Sequence, residues 1–166
     1  MKHGFTLIEF LIYIGIVGLV LITAGAIALN ILFDKAKLTA IEEVSQNTRF
    51  TMEKIANTVR NAQAINSPAI SASAPALSLQ MADSGKNPTV FDLSGGAVRI
   101  KEGAGSAVNL TSSKITVTNL QFSNISYAST PGTIRIQITV KSINPGNRQE
   151  YNFEKIFYTT ANIRKK

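Results

Sequence analysis

Between Phe10 and Phe33 the chain carries no charged side chain, and only Thr23 and Asn30 are markedly polar. At about 1.5 Å per residue, a helix of that length covers the roughly 30 Å hydrocarbon core of a bilayer. Its β-branched residues do not argue against helix, because a lipid-exposed backbone must satisfy its hydrogen bonds within the segment. The pattern therefore predicts a transmembrane helix over 5–33. Gly15, Gly18 and Gly25 fall close together on its wheel. They read either as a side that a second helix can approach closely or as the ordinary glycine content of membrane helices. Lys2 on one flank and Lys35 and Lys37 on the other leave the orientation undecided.

The rest of the chain is a different material: polar, rich in Ser, Thr and Asn, and lightly charged. With 166 residues and 45% hydrophobic content there is room for one globular domain beside the apolar segment, and enough apolar surface for a core. There is no cysteine, which excludes disulfides and thiolate metal sites. The net charge of +7 lies almost wholly past the apolar block and ends in the tail Arg164, Lys165 and Lys166. Such a balance permits acidic lipid, nucleic acid or an acidic partner without selecting among them.

One residue conflicts with its surroundings. Glu9 stands at the head of the apolar run. A carboxylate in a membrane helix costs about 2.5–3.5 kcal/mol at a central position and less near an end. Thr6-Leu7-Ile8-Glu9 fits the S/T-x-x-E capping box, and an acid in the first turn suits the helix dipole. That device returns about 1 kcal/mol and leaves part of the cost uncovered.

The arrangement as a whole is a short basic leader, Met1-Lys2-His3-Gly4, followed by Phe5-Thr6-Leu7-Ile8-Glu9 and the unbroken apolar run. It resembles the class III leader of type IV prepilins and of type II secretion pseudopilins over about the first thirty residues. The resemblance implies a leader over 1–4, cleaved after Gly4 by a prepilin peptidase, and N-methylation of the new terminus, Phe5. It further implies an assembly role for Glu9, whose carboxylate would meet the amino-terminal amine of a neighbouring subunit. Within a lipid-like interior neither charge has a better partner. The implied partners are that peptidase, other pilin or pseudopilin subunits, an inner-membrane assembly platform and membrane lipid. Lys2 would be cytoplasmic, with everything past Phe33 exported from the inner membrane. Many major pilins carry a proline near the position of Ala26. Its absence here, with Gly25-Ala26 in its place, points towards a minor subunit. An ordinary secretory signal cleaved at Ala24-Gly25-Ala26 is the rival reading, although its apolar core would be long and would begin beside a carboxylate.

Past Asp34 the pattern becomes one-sided. Ile41, Val44, Thr48, Met52, Ile55, Val59 and Ala62 recur at steps of three and four, which predicts an amphipathic helix over 34–64 with a stripe that must lie against something. Glu42, Glu43, Arg49, Glu53, Lys54, Arg60 and Asn61 form its solvated side. No glycine or proline intervenes between Leu29 and Asn66, so the two halves are expected to form one helix of about 60 residues, roughly 90 Å long. Gln46, Asn47, Arg49, Phe50, Arg60, Asn61 and Ala62 also resemble a pattern in the corresponding helix of some minor pilins and minor pseudopilins.

Residues 65–76, small and punctuated by proline, read as a linker loop. A β-rich head is expected over 77–166. Alternating runs at Leu77–Met81, Thr89–Leu93, Ala97–Lys101, Lys114–Phe122, Thr133–Lys141 and Tyr151–Thr159 are separated by turn-forming links. In Thr133–Lys141 the residues Ile134, Ile136, Ile138 and Val140 should face inward. The expected fold is α+β and pilin-like: a long amino-terminal helix, part transmembrane and part amphipathic, packed on a carboxy-terminal antiparallel sheet.

Catalytic chemistry finds little to work with. The sole histidine, His3, lies in the presumed leader, so Ser-His and Cys-His pairs are excluded from the processed chain. Asp83-Ser84-Gly85-Lys86-Asn87 begins like a calcium loop but lacks a glutamate at EF-hand spacing, and a turn explains it better. The glycines at 95, 96, 103 and 105 lack a Gly-Lys-Ser/Thr ending and suit hairpins. No cofactor or metal site is expected, and no enzymatic activity. Arg99, Lys101, Lys114, Arg135 and Lys141 could hold phosphates, yet few aromatics interleave to stack bases, which makes nucleic acid the weaker partner. The expected function is a structural filament subunit. The alternative is a secreted or membrane-anchored binding domain behind an ordinary signal sequence.

Overall fold

The computed structural model describes residues 6–164. One helix, α1 (Leu7–Asn61), runs 55 residues without a break, about 80 Å at 1.5 Å per residue. It stops three residues before the expected boundary at 64. Ala62 leaves helical geometry at φ −72°, ψ 158°, and its N–H bonds back to the Val59 carbonyl. Gln63 N–H then donates to the Gln80 carbonyl at 2.8 Å and draws the chain into a sheet.

Among the described residues nine strands follow: β1 (Ala64–Ser67), β2 (Ser73–Ala74), β3 (Leu77–Gln80), β4 (Thr89–Ser94), β5 (Ala97–Glu102), β6 (Val108–Asn109), β7 (Ile115–Asn124), β8 (Thr133–Ser142) and β9 (Glu154–Asn162). They form two sheets instead of the single one expected, in the orders β1-β3-β4-β5-β6 and β2-β7-β8-β9. Every pairing is antiparallel. The six expected strands are present with small shifts in their ends, the last beginning at Glu154 because Gln149–Tyr151 forms a 3-10 turn.

Residues 65–76, expected to be a linker loop, supply β2 and most of β1. Composition concealed this because the order comes from distant groups. The buried Asn124 side chain donates to the Pro68 carbonyl at 2.8 Å. Its backbone N–H donates to Ala72 O and its carbonyl accepts from Ser71 N–H, both at 2.9 Å. A polar, small-residue segment gains strand geometry from a neighbour that takes up its hydrogen bonds.

The core is one cluster drawn from three layers. Val44, Met52, Ile55, Ala56 and Val59 come from α1; Leu77, Leu79, Phe91, Val98 and Ile100 from the first sheet; Val117, Phe122, Ile134, Ile136, Ile138 and Val140 from the second. The inward set expected on β8 is buried throughout. The helical stripe is shifted and broadened: Ile41 is only half-buried while Ala40, Thr51 and Ala56 are buried. The buried threonines remain compatible with the core because Thr48 and Thr51 hydroxyls donate to the Val44 and Asn47 carbonyls at 2.6 and 2.9 Å.

Candidate functional site

The amino-terminal half of α1 is apolar and unburied. It is long and apolar enough to cross a membrane, and none of its most apolar window is buried against the rest of the chain. Leu11, Leu19, Ile22, Ile31 and Leu32 are all exposed. A contiguous apolar surface of this size marks contact with lipid or with other proteins. Of the polar residues within it, Thr23 is satisfied locally, its Oγ1 donating to the Leu19 and Val20 carbonyls at 3.0 and 2.9 Å. A Cβ added at Gly15, Gly18 or Gly25 would meet nothing within 4 Å, so the glycine side of the rod is open.

Glu9 sits in the first turn of this rod. Thr6 is the N-cap, and its hydroxyl accepts from Glu9 N–H at 3.4 Å, one arm of the expected capping box. Phe10 N–H bonds to the Thr6 carbonyl at 3.2 Å. Among the described residues nothing pairs with the Glu9 carboxylate; the ion pairs there are Arg99–Asp92 and Lys114–Glu43. Gly4 and Phe5, the expected processing residues, lie outside the described residues, as does His3.

The second half of α1 fixes the rod to the head. Asn47 Nδ2 donates to the Glu43 carbonyl at 2.9 Å, while its Oδ1 accepts from Ser112 N–H at 3.2 Å. Lys114 Nζ reaches Glu43 Oε1 at 2.6 Å. Asn47 thus has an attaching role that helical spacing alone does not reveal. Of its motif companions, Arg49 and Phe50 are exposed, and Arg60 donates to Asn57 Oδ1 at 2.8 Å.

The other candidates resolve into structure. Asp83 Oδ1 accepts from Gly85 N–H at 2.9 Å and Asn87 Oδ1 from Met81 N–H at 3.1 Å, so the residues that begin like a calcium loop close a turn. Among the described residues no group of three or more His, Cys, Asp or Glu could hold a metal ion. Gly95 and Gly96, at φ 59° and 76°, form the two-residue turn between β4 and β5. The basic residues expected to offer a phosphate surface, Arg99, Lys101, Lys114, Arg135 and Lys141, are spread over both sheets, and Arg99 and Lys114 are held in ion pairs. Arg99 forms a two-bond pair with Asp92 at 2.8 and 2.7 Å, a hydrogen bond that raises its pKa above the ordinary arginine value; Lys114 is held by Glu43.

Searches against protein-family models, curated proteins and solved structures find no match for this chain. Its class therefore rests on its own features: a single helix that is both an exposed apolar rod and the spine of an antiparallel β head.

Proposed function

We propose that this protein is a structural subunit, a minor pilin or pseudopilin, of a filament of the type IV pilus or type II secretion kind. A prepilin peptidase removes 1–4 and exposes Phe5, which is then N-methylated. The rod anchors the subunit in the inner membrane with the head outside. Assembly transfers the rod from lipid to a bundle of like rods, where Glu9 meets the amino-terminal amine of a neighbour.

The observation that carries this reading is the exposed Glu9 carboxylate, without a partner among the described residues, at the head of an apolar helix that continues unbroken into the head. An exposed acid at the end of a lipid-length rod is costly in a lone subunit and useful in an assembly that supplies the opposite charge. The rival, an ordinary signal sequence cut at Ala26, would leave Ile27, Leu29, Ile31, Leu32 and Phe33 as an exposed apolar stub on a soluble product.

Mass spectrometry of the mature amino terminus tests the reading. A start at N-methylated Phe5 supports it, and a start near Ile27 replaces it with a secreted binding domain.

A further inference from the structure

The edge of the second sheet goes beyond the filament reading. In the order β2-β7-β8-β9 the last strand pairs, among the described residues, only with β8. Ser142 N–H donates to Phe153 O at 2.9 Å and Ile163 N–H to Gly132 O at 2.8 Å. With an unshifted register between these two bonds, residues 155, 157, 159 and 161 exchange bonds with β8. Glu154, Ile156, Tyr158 and Thr160 therefore turn their N–H and C=O groups away from the sheet. Asn162 continues that row, and beyond it Arg164 N–H is taken by the Arg60 carbonyl at 3.1 Å, which closes one end against the tip of α1.

Sheet edges are normally blunted by shortness, bulges, proline or projecting charge. β9 is nine residues long, without proline and without a shift in register. Its lysine, Lys155, lies over the Phe157 ring at 5.3 Å from the centroid. Between this edge and α1 runs a groove of about 400 Å³. Met52, Ala56 and Phe157 give it an apolar lining, and Arg49, Arg60 and Lys155 outweigh Glu53 in charge.

We propose that β9 is a docking edge that accepts, as a further strand of its sheet, an extended segment of a partner protein carrying carboxylates at alternate positions. Main-chain bonds to Ile156, Tyr158 and Thr160 hold the segment, and every second side chain enters the groove beside the helix, where the cations select acids. The other side chains lie beside Ile156 and Tyr158, which are 47% and 62% exposed. A second copy does not supply this occupant, because β1, β2, β6 and β7 contain no acidic residue and β9 itself carries a single one, Glu154, at its end.

The probe is a labelled nine-residue peptide in which threonine alternates with aspartate, added to the full chain in detergent and followed by fluorescence anisotropy. The expected result is saturable binding about tenfold tighter than that of the same peptide with lysine for aspartate. Amide exchange should slow at Ile156, Tyr158 and Thr160. Tyr158→Pro removes an outward N–H and should abolish binding while β8 amides stay protected. The double variant Arg49→Glu, Lys155→Glu should reverse the preference between the two peptides, and it decides the matter if the proline variant unfolds. Absence of binding at millimolar aspartate peptide, equal affinity for both peptides, or protection elsewhere than β9 would overturn the proposal.

Discussion

Among single residues, the chain separates those that hold the head together from those that wait for something outside it. Ile55 and Phe122 belong to the first kind, both with no exposed surface. Ile55→Ala should cost about 2–5 kcal/mol and Phe122→Ala about 3–5 kcal/mol in urea unfolding of the detergent-solubilised chain. Asn47→Ala strips a partner from Ser112 N–H at a partly wet site and should cost about 1 kcal/mol. Lys114→Ala should cost under about 1 kcal/mol, because that side chain is 69% exposed. Glu9, with no ion-pair partner among the described residues, is placed in the second kind by the filament proposal. Glu9→Ala should leave head stability unchanged and reduce incorporation into filaments, read as the ratio of sheared to cell-bound protein. Undiminished incorporation would refute the partner-charge account.

Among elements, legibility followed the strength of the local pattern. β8 was readable because Ile134, Ile136, Ile138 and Val140 alternate with polar residues over the whole strand, and α1 because nothing between Leu29 and Asn66 breaks it. The missed strands are β1, β2 and β6, of four, two and two residues. None has a hydrophobic period, and each exists because a neighbour offers a ladder: β1 lies against β3, Ser73 and Ala74 pair with Ser123 and Phe122, and Val108 and Asn109 with Ile100 and Arg99. The division into two sheets was equally hidden, since it depends on which strands meet and not on which residues are apolar. The β4–β5 turn gives a sharp test at this scale. A Cβ at Gly96 would lie 2.9 Å from Thr116 Cγ2, whereas at Gly95 it would meet nothing within 4 Å. Gly95→Asn should be nearly neutral by thermal unfolding, and Gly96→Ala should cost about 1–2 kcal/mol from backbone strain alone.

Over the whole molecule, two environments are joined by one helix, and the sequence announced this through the change from all-round to one-sided apolarity near Asp34. Gly4, Phe5 and Glu9 were all singled out from the sequence; Glu9 and its cap fall within the described structure, while Gly4 and Phe5 lie outside the described residues. If the rod is a membrane span, the full chain should resist alkaline carbonate extraction. Ile16→Arg with Val20→Arg should release it, each arginine costing about 2.5–3.5 kcal/mol in the bilayer. The continuity of α1 also has a mechanical consequence. With Val44, Ile55 and Val59 locked into the core, the helix cannot slide within the head. An axial displacement of its amino-terminal half is therefore passed to the head in full, each residue's length of helix being about 1.5 Å of travel.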